Sequence, residues 1–125
     1  ETLLQKTVEY SKTRKQFGTV IGTFQALQHR MADMFIECQL ARSIVVMAAM
    51  KLDGSAGRTE KTKAVSAAKS RVGKAIRKVS QEAVQIHGGI GVTNELDVGH
   101  YFKRATALEI MFGNTDYHIE RFASL

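Results

Sequence analysis

Two short runs in this 125-residue sequence hold the residue types that handle phosphates and flat rings. Arg14-Lys15-Gln16-Phe17-Gly18 gathers two cations, an amide and an aromatic. A guanidinium forks onto phosphate oxygens through parallel N–H donors, and a phenyl face lies against a flat ring. The same residues also suit a cationic helix C-terminus, where the macrodipole favours positive charge, closed by an aromatic plug. The second run is His87-Gly88-Gly89-Ile90-Gly91. Its glycines lack the G-x-G-x-x-G spacing of a dinucleotide loop, they follow a helical pattern rather than a strand, and the Walker Lys-Ser/Thr is absent. Two readings remain: backbone N–H groups bare of Cβ that a ligand or neighbouring chain can approach, or a turn that ends a helix.

Other chemistries find less footing. His29, His87, His100 and His118 make no HExxH or Glu-x-x-His pair, and a single cysteine, Cys38, builds neither a thiolate site nor an internal disulfide, so no metal site is expected. Cys38 falls on an apolar helical stripe, where a buried, inert thiol is expected, and no Ser or Cys sits in a nucleophile elbow. Bases outnumber acids 18 to 12, and Arg58 to Ser80 alone is net +7, leaving −1 for the other 102 residues. Such a strip either meets the phosphates of nucleic acid or a dinucleotide, or faces water as the outer side of a helix; the second is the expected use.

The elements that must position these runs are helical. Phe24, Leu27, Met31, Met34, Cys38, Ala41, Val45, Ala48 and Leu52 alternate spacings of 3 and 4, which predicts one helix from a Thr23 N-cap to Asp53. Phe35, Ile36, Leu40, Ile44, Met47 and Met50 widen that stripe, as suits a helix packed among several neighbours. Val65, Ala68, Val72, Ala75, Val79 and Ala83 predict a second long helix over 59–87, closed by Gly88-Gly89. Shorter helices are expected from Leu3 to about Lys15, from Asn94 to about Met111 and from Asp116 to Ser124, with Thr93 and Thr115 as caps. No strand-length alternation is found. With 0 Pro and 44% apolar residues, the chain reads as one all-α domain, an antiparallel up-and-down four-helix bundle with a short extra C-terminal helix. The longest uncharged apolar stretch, Ser43 to Met50, is far short of a membrane span. A reducing compartment, bacterial cytoplasm or mitochondrial matrix, suits the lone cysteine. Glu1-Thr2-Leu3-Leu4 reads as the middle of a helix, so the chain is expected to be part of a longer protein.

Taken together, these pieces resemble the C-terminal helical domain of the acyl-CoA dehydrogenase family, over essentially all 125 residues. Tyr10, Arg14, Phe17-Gly18, Phe24-Gln25 and Ala32-Asp33-Met34 are similar to the family's Y-x-x-x-R-x-x-F-G, F-Q and A-D-M signature. Gln85-Ile86-His87-Gly88-Gly89-Ile90-Gly91, followed by Glu95, is similar to its Q-x-x-G-G-x-G block and downstream acid.

The resemblance implies FAD as cofactor, acyl-CoA as substrate, a role in fatty-acid metabolism, assembly as a dimer or tetramer, and electron-transferring flavoprotein as acceptor, with neither nucleic acid nor membrane as partner. It implies an N-terminal helical and a middle β domain outside this chain, and an isolated fragment without activity. Carried over by motif, Arg14, Gln16 and Phe17 would contact the pyrophosphate and adenosine region of a neighbouring subunit's FAD, with Gln85, Gly88 and Gly89 beside them and Thr115 as a further flavin contact. Phe112 and Gly113 would line the substrate site. Many members carry an aromatic-Glu-Gly-Thr run whose Glu takes the α-proton of the acyl thioester while hydride leaves the β-carbon for the flavin. The matching run here is Phe112-Gly113-Asn114-Thr115, and glycine cannot accept a proton. The base is then expected upstream, on the helix that opens this chain, or on the partner of a base-lacking subunit. Glu109 or Asp116 as a stand-in is poorly aimed by helical spacing from Gly113. A basic nucleic-acid-binding bundle is the alternative from a different functional class.

Overall fold

A computed structural model describes residues 1–93 and 95–125. Its elements run α1 (Thr2–Thr13), β1 (Lys15–Gln16), β2 (Thr19–Val20), a 3-10 turn (Ile21–Thr23), α2 (Gln25–Asp53), α3 (Arg58–His87), a second 3-10 turn (Gly88–Val92), α4 (Val98–Ile110) and α5 (Thr115–Ser124). α1 to α4 form the expected bundle, and α5 is the short extra helix. α3 is its axis, in contact with each of the other four helices.

The main core lies toward one end, where Leu3, Ile21, Met34, Cys38, Val79, Ala83, Ile86 and Val98 pack together. Nearer the turn between the long helices, Ala48, Ala64 and Ala68 keep α2 and α3 close through small side chains. Cys38 is buried and free. The wide apolar face of α2 is not consumed inside this chain: Met34, Cys38 and Ala48 are buried, whereas Phe35, Ile36, Leu40 and Val45 are about half exposed and Met50 is 70% exposed. The expectation that this face packs within the bundle is thus met only in part: even on the narrow stripe Val45 and Leu52 stay about half exposed, whereas Ile44 beside it packs against the Ala48 cluster. An apolar groove of about 520 Å³, lined by Leu3, Val45, Val72, Ile76 and Leu108 among others, runs between α1, α2, α3 and α4.

Several expected boundaries differ. A two-residue antiparallel hairpin, Lys15 opposite Val20 and Gln16 opposite Thr19, follows α1, too short to show any alternation in sequence. Thr23 does not cap α2; its hydroxyl donates to Val20 O at 2.7 Å and Phe24 takes the N-cap place. The expected start of the fourth helix at Asn94 lies outside the described residues. Beyond it α4 begins only at Val98, because Thr93 serves a local turn, donating to Ile90 O at 2.8 Å and accepting from Glu95 N at 3.3 Å. Thr115 is the first residue of α5 rather than its cap. Asn114 caps instead, its side chain accepting from Tyr117 N at 2.9 Å.

Among the described residues, no helix is long and apolar enough to cross a membrane, and no three His, Cys, Asp or Glu side chains converge as metal ligands.

Candidate functional site

The two runs singled out in the sequence meet at one end of the bundle. Tyr10 lies one turn before Arg14 on α1, and its ring stacks on His87 with centroids 4.2 Å apart and an interplanar angle of 27°. Its hydroxyl donates to His87 O at 3.4 Å, while His87 Nδ1 stands 2.8 Å from Ala83 O, which fixes the buried ring against its own helix. Two helix ends are locked together in this way, α1 leading into the hairpin and α3 into Gly88-Gly89.

The hairpin presents its tip to solvent. Ile21 N donates to Arg14 O at 2.8 Å, which folds the chain back on itself. Phe17 and Gly18 turn the tip at φ 54° and 80°, and the Phe17 ring is 91% exposed, edge-on to Phe24 at 6.2 Å. A phenylalanine held outward in the left-handed region is poorly placed for a core plug and well placed for contact with something outside this chain. Arg14 and Gln16 are exposed beside it, and Arg14 has no ion-pair partner among the described residues. Gln85 is exposed, and open space surrounds Gly88 and Gly89, so their backbone can be approached. A free guanidinium, an exposed aromatic face and unshielded backbone donors suit a dinucleotide that carries a pyrophosphate and flat rings.

The second group is the connection between α4 and α5. Phe112 (φ 59°) and Gly113 (φ 96°) both occupy positive φ, and the Phe112 ring is 87% exposed. A Cβ at Gly113 would stand 2.5 Å from Tyr117 Cδ1 and 3.1 Å from His118 Nε2, so the space a side chain there would need is taken by the Tyr117 ring. Thr115 faces inward; its buried hydroxyl finds no hydrogen-bond partner among the described residues, and its backbone N–H donates to Glu109 Oε1 at 3.1 Å. The structure thus places Thr115, expected as a flavin contact, with its hydroxyl turned into the chain.

Glu109 is buried, and its Oε1 lies 3.2 Å from Arg77 Nη2. Hydrogen bonding from the adjoining Thr115 holds its carboxyl below the usual carboxylate range, with Arg77 adding to the effect. A carboxylate so engaged is a structural anion rather than a base in waiting, and Asp116 sits exposed in the first turn of α5. Neither supplies what Gly113 lacks. The bracing role of Glu109 is not legible from its own neighbourhood in sequence; the lone Gly73 in the middle of the long α3, a cue to close approach, was the available signal.

The basic strip is largely committed within the chain. Arg71 pairs with Glu37 at 2.6 Å, Lys78 reaches Asp33 and Glu37 at 4.0 and 3.9 Å, Arg77 reaches Glu109, and Lys61 and Lys69 donate to backbone carbonyls. Cations held by acids and carbonyls make a poor phosphate track, which weighs against the nucleic-acid reading.

A family model for the acyl-CoA dehydrogenase C-terminal domain matches residues 1–124. The chain belongs to the acyl-CoA dehydrogenase family. Among similar proteins of that family, acyl-CoA dehydrogenase IpdE2 of Mycolicibacterium smegmatis is 46% identical over 102 residues, 82% of this chain and 30% of that protein. A crystal structure of an FAD-dependent dehydrogenase superposes with a TM-score of 0.90 at 29% identity, covering 98% of this chain and 32% of the other. A chain of the ChsE4-ChsE5 complex from Mycobacterium tuberculosis does so with a TM-score of 0.90 at 31% identity, covering 98% and 32%. The chain spans about 30% of the length of the curated acyl-CoA dehydrogenases it matches.

Proposed function

We propose that the chain is the C-terminal helical domain of an FAD-dependent acyl-CoA dehydrogenase, whose whole protein also carries an N-terminal helical and a middle β domain and desaturates an acyl-CoA between its α and β carbons. The observation that carries this reading is the Tyr10–His87 stack, which brings the unpaired Arg14, the outward Phe17 and the open Gly88-Gly89 backbone to one end of the bundle. Arg14 forks onto the pyrophosphate, Gln16 and Gln85 hydrogen-bond beside it, Gly88 and Gly89 offer bare backbone, and Phe17 lies against a flat ring of the cofactor. When bound, FAD supplies the two-electron acceptor for the hydride that leaves the substrate β-carbon. Because all these groups point away from this chain's own core, they serve the flavin of a neighbouring subunit. The uncovered apolar face of α2 supports an oligomer, since large exposed apolar patches mark interfaces.

Phe112 and Gly113 line the acyl thioester, and the proton is taken by a base from outside residues 1–125. Closure of the Gly113 position by Tyr117 leaves that base to an upstream residue or to a partner subunit, and the likeness to a chain of the two-component ChsE4-ChsE5 complex supports the heteromeric reading. Electron-transferring flavoprotein is the acceptor we assign, and the bacterial cytoplasm the compartment. The test is anaerobic mixing of the full-length protein with acyl-CoA, alone and with its partner subunit. Bound flavin bleached by acyl-CoA once a base is supplied is the expected result. A full-length protein that carries no FAD in either state would overturn the proposal.

A further inference from the structure

Four residues of α3, Ser66, Lys69, Gly73 and Arg77, are spaced by 3, 4 and 4 and so share one helical face. Each meets the end of α4 or the start of α5, on either side of the connection between them. Ser66 Oγ lies 3.4 Å from His118 Nδ1, and His118 Nε2 lies 2.9 Å from Phe112 O. Lys69 Nζ donates to Leu108 O at 3.3 Å and Glu109 O at 2.8 Å, which satisfies carbonyls that the end of α4 leaves without helical partners. At Gly73 a Cβ would overlap the Thr115 hydroxyl, so only glycine lets α5 come this close. Arg77 pairs with the Glu109 carboxylate, which in turn accepts the Thr115 N–H.

We propose that this face of α3 is a cradle that sets the 111–115 turn, with Glu109 as its positioning residue. Three observations separate this from ordinary packing. Glu109 is the one buried acid among the described residues, and burying a carboxylate to join two surface helices has no purpose unless the turn must hold one shape. Thr115 N–H belongs to the first turn of α5, where no helical carbonyl can receive it, so Glu109 is its sole partner among the described residues. All of this support ends in an aromatic, Phe112, aimed outward at positive φ and 87% exposed, where a mere connector would fold its phenyl ring inward. The cradle thus holds Phe112 out as a contact for a ligand. That the ligand is the acyl thioester beside the flavin rests on the function proposed above; the bracing itself does not.

The experiment uses the full-length holoprotein with its partner, comparing wild type, Glu109→Ala and Glu109→Gln by residue-resolved hydrogen exchange, flavin circular dichroism and acyl-CoA titration. Loss of one charge-assisted hydrogen bond is expected to speed exchange at the Thr115 amide about tenfold or more in Glu109→Ala. Amides of α2 should be unmoved, and Glu109→Gln, which keeps an acceptor, should recover most of the protection. KM for acyl-CoA should rise severalfold with FAD content unchanged. If Glu109→Ala does not fold, Arg77→Gln, at an exposed side chain, carries the same test with a smaller expected change. Unchanged exchange at Thr115 overturns the cradle. Faster exchange with flavin dichroism and acyl-CoA binding both unmoved upholds the cradle and overturns the assignment of the turn to the substrate site.

Discussion

We read Gly113 as matching the base position of many family members, and placing a side chain there should cost stability without adding chemistry. Two effects combine in Gly113→Ala. A non-glycine residue forced to φ 96° stores about 1–3 kcal/mol of backbone strain. The new Cβ also meets Tyr117 Cδ1 at 2.5 Å and Cε1 at 2.9 Å, an overpacking that costs about 1–3 kcal/mol when neighbours cannot yield. Tyr117 is 51% exposed and can swing outward in part, so the sum should fall in the lower half of the combined range, about 2–4 kcal/mol. Denaturant unfolding of the full-length protein at fixed FAD reads this number. A double-mutant cycle divides it, because with Tyr117→Ala in the background the cost should shrink to the strain component. Gly113→Glu should gain no rate with acyl-CoA, since its carboxylate has no room in this conformation. A Gly113→Ala cost below about 0.5 kcal/mol, an equal cost with and without the Tyr117 ring, or a tenfold gain in rate from Gly113→Glu would each refute the reasoning.

Acid should loosen the α4–α5 connection specifically. The folded-state pKa of Glu109 is depressed, so its contribution is present above the ordinary carboxylate range and is lost as pH falls through the lower folded value; exchange at the 108–118 amides should rise below about pH 4, and Glu109→Gln should flatten that rise. Gly73→Ala gains helix propensity of about 1 kcal/mol yet should destabilise on balance, because its methyl displaces Thr115; adding Thr115→Ala should restore most of the loss in the same unfolding assay. Met34 has no exposed surface in the main core, and Met34→Ala should cost about 2–5 kcal/mol with little effect on flavin content of the protein that folds.

Much of this architecture is legible in the sequence, and the exceptions have physical causes. The long helices stand out because a 3-and-4 spacing of apolar residues continues without Pro from Phe24 to Leu52 and again from Val65 to Ala83. Boundaries read less well where hydroxyl side chains have competing uses. Thr23 and Thr93 serve local turns, and Thr115 lies inside its helix while Asn114 caps it. The wide apolar face of α2 carries the helical period but not the identity of what covers it, and residues such as Phe35, Ile36, Val45 and Met50 stay half exposed or more. The chemistry-bearing residues at the hairpin and at Gly88-Gly89 are visible by type alone, whereas their meeting depends on the Tyr10–His87 stack, which joins residues distant in sequence. The cradle of α3 is harder still, since a buried carboxylate looks like any surface glutamate until Arg77, Gly73 and Thr115 close around it.

The central claim is that the end of the bundle bearing Arg14 holds a flavin dinucleotide, and the most direct measurement is the FAD retained by full-length Arg14→Ala after gel filtration. Losing a charge-assisted phosphate contact of about 1.5–3 kcal/mol should weaken binding roughly tenfold to a hundredfold, so the variant should emerge largely stripped of FAD while wild type stays loaded. Equal flavin content in the two proteins would contradict the account.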